Sequence, residues 1–110
     1  MPKPKVPPRN DPKRHIMGIL MNWFNYAPMV LDKELCDKRL IPFGGRYFST
    51  KIFWKAVCDV PEPKRSSLML YCVDGKSQNS IARERDVTQA QIWWEINSAC
   101  GEIEESLIKC

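Results

Sequence analysis

The stretch that decides the fold is SQNSIARERDVTQAQIWWEINSACGEIEE, residues 77–105. Ser77 is placed to cap a short helix over residues 78–85, because a serine hydroxyl accepts a hydrogen bond from a free backbone N–H in the first helical turn. Asp86 and Val87 connect this helix to a longer one, which Thr88 caps in the same way. The longer helix carries apolar residues every three or four positions, which is helical periodicity: Ile92, Ile96, Ala99 and Ile103.

This order is typical of a helix-turn-helix, in which two helices cross at a steep angle. The crossing requires a small residue, and Ala82 supplies it. We expect Val87 to tuck beneath the helix pair, and Ile92 and Ile96 to face back towards the first helix. The sequence therefore predicts a C-terminal helix-turn-helix at about residues 77–103.

The opposite face of the longer helix is free for a ligand, and in helix-turn-helix proteins this face enters the major groove of DNA. Gln and Asn amides pair with adenine, and an Ala methyl contacts the thymine methyl. The predicted base-reading residues are Thr88, Gln89, Ala90, Gln91, Trp93 and Asn97. Phosphate contacts set affinity and register, and the predicted phosphate-contacting residues are Lys76, Ser77, Gln78, Arg83 and Arg85.

Two features of the longer helix allow a second interpretation. Trp93 and Trp94 are unusual on a face that reads bases. We expect Trp94 to be buried in the core or in a dimer interface. Trp93 fits equally well on the base-reading face or in such a buried position. The acidic end of the helix, residues 102–107, is either a dimer surface built on Ile103 and Leu107 or an ordinary solvated final helix.

Before residue 77, proline and glycine residues divide the chain into further helices. Apolar residues recur with helical spacing from His15 to Ala27, and Pro28 ends this helix. A short second helix is predicted over residues 31–38. A turn follows at residues 40–45, and we expect nearby aromatic side chains to hold it to the core: Phe43, Tyr47 and Phe48.

Two more helices precede the helix-turn-helix. Ser49 or Thr50 caps the first, which presents one apolar face and ends at Pro61 and Pro63: Phe53, Ala56, Val57 and Val60. The second runs from about Lys64 to Val73, where Asp74-Gly75 makes a turn. No alternation typical of strands is visible, so residues 15–110 are predicted to form one all-α domain of five or six helices.

The positive charge of the chain is concentrated at its start. The net charge is +4, and residues 1–14 carry five basic residues against one acidic residue. Five of the nine prolines also lie within residues 1–12, and proline prevents regular helix there. We therefore predict a flexible basic arm over residues 1–14, which suits either a polyanion or simple solubility.

Catalytic and metal-binding chemistry is not indicated. The five cysteines have no C-x-x-C spacing and the single histidine, His15, has no evident partner, so we expect neither a metal site nor a cofactor. The cysteines are interpreted as free thiols, with Cys58 and Cys72 in the core. No membrane span or secretory signal is recognised, and we expect a cytoplasmic, nucleoid-associated protein.

The residues from Val73 to Gln78, followed by Ile81-Ala82 and Val87-Thr88, resemble the helix-turn-helix of the KorA (TrfB) plasmid repressors. Those proteins carry a VDGK-x-Q turn, a small residue within the first helix and an apolar-Thr step into the recognition helix. The stretch from Tyr71 to Ser77 is similar to the PapB-type regulators of adhesin operons. Trp93-Trp94 departs from both families, and residues 1–47 match neither.

The resemblance implies a small all-α repressor that binds double-stranded DNA as a homodimer or higher oligomer, with Gln89 to Gln91 reading bases in an operon of a plasmid, mobile element or adhesin. The competing hypothesis is a protein-interaction module that keeps the helix-turn-helix shape. It would act through Trp93, Trp94 and the N-terminal aromatics, since Trp and Tyr are favoured interface anchors. For Trp23, Phe24 and Tyr26 we prefer a place in the core.

Overall fold

A computed structural model describes residues 12–23 and 40–109 of the chain. Its described elements follow in the order α1 (Pro12–Met21), β1 (Leu40–Phe43), β2 (Arg46–Ser49), α2 (Thr50–Cys58), α3 (Lys64–Cys72), α4 (Gln78–Arg85) and α5 (Gln89–Lys109). The described chain is mostly helical, as predicted. The predicted helix over residues 31–38 lies outside the described residues.

The core is organised around α5, which contacts α1, α2, α3 and α4. One stripe of α5 is fully buried along almost its whole length: Ile92, Ile96, Ala99, Cys100, Ile103 and Leu107. The helix ends at Lys109, six residues beyond the boundary of about 103 predicted for the helix-turn-helix. Because Ile103 and Leu107 belong to this core, they are not available for the dimer surface that the sequence allowed.

The all-α prediction is wrong for residues 40–49, which form an antiparallel hairpin with Ile41 opposite Phe48. Gly44 and Gly45 both take positive φ, 59° and 77°, which suits the two-residue turn whose twist matches the twist of paired strands. Pro42 obscured the strand, yet proline is tolerated where a strand has an unpaired edge. In this two-stranded sheet each strand has a pairing partner on one side alone.

Side chains of β1 alternate between solvent and core, as strand geometry requires, and in β2 Phe48 is buried between exposed Tyr47 and half-buried Ser49. Ile41, Phe43 and Phe48 are buried, so two of the three aromatic residues expected to hold this segment to the core do so. Tyr47 is exposed, which contradicts the prediction, because it follows Arg46 and precedes Phe48 and therefore points to the opposite face from Phe48.

Helix α1 begins at Pro12, inside the segment predicted to be a flexible arm. Proline favours the first helical position, because its missing N–H has no partner there and its φ is already helical. Lys13 and Arg14 therefore belong to a helix, whereas arm residues 1–11 lie outside the described residues. Trp23, just after α1, is buried and stacks on Trp54 with ring centroids 5.1 Å apart, as the core interpretation predicted. Phe24 and Tyr26 are not among the described residues.

Helices α2 and α3 occupy the predicted positions. Ser49 caps α2, and its Oγ accepts a hydrogen bond from the Ile52 N–H at 3.2 Å. The predicted apolar residues are buried, three of them in α2 and Val60 just beyond its end: Phe53, Ala56, Val57 and Val60. Cys58 falls between the positions of this stripe and is exposed, which corrects the prediction that it lies in the core, whereas Cys72 is buried. Burial raises the pKa of the Cys72 thiol to about 12.

Candidate nucleic-acid interface

Helices α4 and α5 begin at the two predicted caps. The Ser77 Oγ accepts a hydrogen bond from the Ser80 N–H, and the Thr88 Oγ1 accepts one from the Gln91 N–H, each at 3.1 Å. A hydroxyl at this position satisfies one of the N–H groups that a helix start leaves without a partner. Residues 77–109 thus form a short helix, a turn and a second capped helix.

The turn depends on Asp86, which adopts a left-handed conformation with φ 54° and ψ 47°. Asp and Asn adopt this conformation more readily than other residues with a side chain. The Asp86 N–H donates to the Arg83 carbonyl and the Val87 N–H donates to the Ala82 carbonyl, a pair of bonds that defines a Schellman ending of α4. Asp86 therefore takes the place that glycine often occupies in such turns.

Val87 does not occupy the buried position that was predicted for it. Its side chain is 36% exposed, so the prediction that it tucks beneath the helix pair is wrong. Ala82, the small residue expected at the helix crossing, is buried, and so is its neighbour Ile81. Beyond these apolar contacts, a polar cluster of Ser67, Arg85, Gln91 and Glu95 links α3, α4 and α5.

Glu95 is the centre of this polar cluster and is 1% exposed. Its Oε1 accepts a hydrogen bond from the Ser67 Oγ at 2.6 Å, and its Oε2 accepts one from the Gln91 Nε2 at 3.0 Å. The guanidinium of Arg85 forms an ion pair with the same carboxylate and also donates to the Ser67 Oγ. Every buried side-chain polar atom of the described residues has a partner.

The cluster keeps Glu95 ionised. Burial favours the neutral acid, but the hydrogen bonds from Arg85, Ser67 and Gln91, together with the Arg85 charge, outweigh burial and hold the pKa of Glu95 below its usual value. A buried carboxylate of this kind persists only when its partners replace the lost water. Since the partners come from three helices, the cluster fixes the orientation of α5 relative to α3 and α4.

The other face of the first turns of α5 is open to solvent. Trp93 is 46% exposed and Trp94 is 56% exposed. Of the predicted base-reading residues, Asn97 is half-buried and the others are exposed: Thr88, Gln89, Ala90, Gln91, Trp93 and Asn97. Three of their amides make intramolecular bonds, to Gln78, to Glu95 and to the Trp93 carbonyl. We use the name α5 face for the surface formed by the solvent-accessible residues between 88 and 97.

Trp94 is not buried in the core of the described chain, so the first of its two expected positions is wrong, while the second, in a dimer interface, stays a prediction. The buried stripe of α5 passes through positions 92, 95, 96 and 99, and position 94 falls outside it. The Lys64 Nζ lies 5.3 Å from the centre of the Trp94 ring. The core position was predicted for Trp94 because the buried stripe includes the polar residue Glu95, and hydrophobic periodicity alone does not reveal that a polar residue is buried.

The predicted phosphate-contacting residues divide into two groups. Ser77 and Arg83 are exposed and Gln78 is half-buried, while the Lys76 Nζ forms an ion pair with Glu84 at 2.7 Å. Arg85 instead faces Glu95 and Ser67. Sequence reasoning missed this role because the partners of Arg85 lie 10 and 18 residues away; the available signal was an acidic residue within an otherwise apolar stripe.

A groove that the sequence did not predict lies between α1 and α5 and continues the α5 face. It has a volume of about 480 Å³ and is lined by Lys13, Arg14, Met17, Gly18, Met21, Tyr71, Trp93 and Asn97. We name it the α1–α5 groove. It brings two basic residues of α1 beside two of the predicted base-reading residues.

Among residues 12–23 and 40–109, no three His, Cys, Asp or Glu side chains lie close enough together to hold a metal ion. No helix within these two ranges is long and apolar enough to cross a membrane. Comparison of the chain with protein-family models, with curated proteins and with solved structures finds no match.

Proposed function

We propose that this chain is a sequence-specific DNA-binding transcriptional regulator, in which α4, the Asp86 turn and α5 form a helix-turn-helix. The observation that carries the proposal is the division of α5 into two faces. One face is attached to α3 and α4 through the buried carboxylate of Glu95, and the other exposes amide and aromatic side chains. A recognition helix needs both properties, since it must be rigidly held and still present side chains to base edges.

Base reading would fall to the α5 face. Gln89, Gln91 and Asn97 offer amides that pair with the N6 and N7 atoms of adenine, and Ala90 offers a methyl for thymine. Their present hydrogen bonds to Gln78, Glu95 and the Trp93 carbonyl would be exchanged for bonds to bases. For Gln89 and Asn97 such an exchange costs little, because one neutral intramolecular hydrogen bond contributes about 1 kcal/mol net. For Gln91 it costs more, because a hydrogen bond to a charged group such as the Glu95 carboxylate contributes about 1.5–3 kcal/mol.

Phosphate binding would combine charges from two parts of the molecule. Lys76 precedes α4, Ser77 and Gln78 lie at its start, and Arg83 lies in its last turn. Lys76 would exchange Glu84 for a phosphate. Lys13 and Arg14 at the start of α1 lie along the groove beside Trp93. The basic residues of the arm precede them: Lys3, Lys5 and Arg9. Arg85 is engaged with Glu95 and is left out of this set.

The biological role that we propose follows the resemblance to the KorA and PapB regulators. The protein would repress an operon of a plasmid, a mobile element or an adhesin, in the nucleoid of a bacterial cell. It would bind as a homodimer or higher homo-oligomer on a near-palindromic site, because a two-fold dimer places two recognition helices in successive major grooves.

The first experiment is a selection from random duplex DNA with the full chain, followed by a salt titration on the enriched sequence. We expect an enriched near-palindromic site and an affinity that falls steeply as salt rises, because phosphate contacts release counterions. Gln89→Ala should lose preference at one or two base pairs, by about 1–3 kcal/mol at each, while the protein stays folded.

Glu105→Gln is the matched control, because Glu105 is exposed on the same helix about 24 Å from Gln89 along the axis. It should keep the selected site and the preference at every base pair. Equal preferences in Gln89→Ala and the unmodified chain would remove Gln89 from the base-reading set. Absence of any enriched sequence would contradict the proposal as a whole.

A second candidate function is supported by the two adjacent exposed tryptophans. Trp side chains are enriched among the residues that dominate protein–protein binding energy, so the α5 face also fits a protein-interaction module. Trp23 would not take part in that surface, because it is buried against Trp54. The DNA selection separates the two candidates, since an interaction module gives neither enrichment nor steep salt dependence.

A further inference from the structure

The α1–α5 groove has the size and chemistry of a small-molecule site. Its volume of about 480 Å³ falls within the range of roughly 300–1,000 Å³ that is usual for ligand pockets. Met17, Met21, Tyr71 and Trp93 contribute apolar and aromatic surface. Aromatic rings pack favourably on Tyr and Trp, and methionine sulfur makes favourable contacts with ring edges. The groove therefore favours a flat aromatic ligand.

Two basic side chains at the start of α1, Lys13 and Arg14, line the groove. Asn97 adds an amide at the α5 side. Arginine binds carboxylates through two parallel hydrogen bonds, and lysine adds a point charge. An anionic group on the ligand would therefore be held at the Lys13–Arg14 end.

Gly18 keeps the groove open. It lies within α1, where glycine is among the least favourable residues, and it is not among the glycines with positive φ. A Cβ built at Gly18 would meet no atom within 4 Å, so neither the backbone conformation nor close packing accounts for the missing side chain. A longer side chain at this position would project into the groove, which Gly18 lines.

We infer that the α1–α5 groove binds a small aromatic carboxylate, whose ring packs against Tyr71 and Trp93 and whose carboxylate is held by Lys13 and Arg14. This inference extends the proposed function, because Trp93 and Asn97 belong to both the groove and the α5 face. A ligand in the groove would therefore compete with DNA, and the site would act as an effector site.

The test uses naphthalene-2-carboxylate as the probe and 2-naphthalenemethanol as its uncharged analogue. The probe is titrated into the isotope-labelled full chain without DNA, and ¹H–¹⁵N spectra follow the backbone amides and the Trp93 indole N–H. We expect saturable shifts confined to the residues of the groove. The uncharged analogue should bind at least about fivefold more weakly, since it forgoes the attraction of two cations.

Three variants make the titration specific. Gly18→Leu should abolish probe binding by filling the groove, whereas Gly18→Ala, which also raises helix propensity, should retain most of it. Arg14→Gln should weaken binding of the carboxylate probe by about threefold to tenfold and leave binding of the uncharged analogue unchanged. Thermal unfolding of each variant verifies that a lost shift is not a lost fold.

Several outcomes would overturn the inference. One is the absence of a saturable shift at 10 mM probe, a concentration that corresponds to about the weakest affinity of interest. The others are shifts centred outside the groove, equal binding of the two probes, or groove shifts that appear when protein concentration alone is raised. The last would assign the groove to a second copy of the chain. Because this titration contains no DNA, its failure is separate from failure of the DNA selection. Where a selected duplex exists, the probe should displace it from the unmodified chain and not from Gly18→Leu.

Discussion

The two halves of α5 belong to one continuous helix, yet they are held in different ways. The C-terminal half buries an apolar stripe of Ala99, Cys100, Ile103 and Leu107. The N-terminal half interrupts its stripe with the ionised Glu95, which is bonded to α3 and α4. Apolar packing tolerates small rotations of a helix, whereas hydrogen bonds to a buried carboxylate depend on direction. The N-terminal half, which carries the α5 face, is therefore the more precisely oriented of the two.

The largest effect is expected in the C-terminal half. Leu107→Ala removes a fully buried side chain and should lower the free energy of unfolding by about 3–4 kcal/mol, through lost apolar burial and the cavity left behind. Denaturant unfolding measures this loss, and Ile108→Ala, at the neighbouring exposed position, is the control. A loss below about 1 kcal/mol would show that the C-terminal half of α5 is not part of the core.

A somewhat smaller effect is expected from the polar cluster. Glu95→Ala leaves Arg85 without its carboxylate, and we expect a loss of about 2–3 kcal/mol, below the value for a fully buried pair because Arg85 keeps partial access to solvent. Glu105→Ala, which removes an exposed acid from the same helix, should cost at most about 0.5 kcal/mol. If both variants unfold at the same denaturant concentration, the two halves of α5 do not differ as described.

The pH dependence of stability distinguishes the two halves further. The pKa of Glu95 is lower in the folded chain than its usual value of 4.5, so its contribution is fully present above that value and is lost as pH falls through the folded pKa. The gap in unfolding free energy between the unmodified chain and Glu95→Gln should therefore narrow from pH 6 towards pH 3. The pKa of Glu62 is also lowered, by its hydrogen bond with Ser66. Both proteins contain Glu62, so its contribution to the pH dependence cancels in the difference between them.

The smallest effect on stability is expected on the α5 face. Trp94→Ala removes a side chain that is mostly exposed, so the free energy of unfolding should change by no more than about 0.5 kcal/mol. Binding to the selected DNA, or to a protein partner, should weaken measurably. A large loss of stability would mean that the Lys64 contact with the Trp94 ring is part of the structural core.

Features set by neighbouring residues could be predicted from the sequence. The caps Ser49, Ser77 and Thr88 act within three residues of themselves, and their helices begin where expected. The hairpin was missed because Pro42 looked like a helix breaker in a turn, while its strand role depends on an unpaired edge that the sequence does not display.

Features set by distant residues could not be predicted. Ser67 and Glu95 are 28 residues apart, and the α1–α5 groove joins Lys13 to Trp93. A pattern of apolar residues indicates which side of a helix is buried, but it does not say which polar residue is buried with it. The roles of Glu95, Arg85 and Gly18 therefore emerged from the packing of helices rather than from any local motif.

The division of the tryptophans has a practical consequence for spectroscopy. Trp23 and Trp54 form a stacked pair against the core, and Trp93 and Trp94 are an exposed pair. Buried indoles emit at shorter wavelength and are shielded from iodide, whereas exposed indoles emit at longer wavelength and are quenched. The intrinsic fluorescence of this chain thus contains two separable signals, one that reports unfolding and one that reports occupancy of the α5 face, without any attached label.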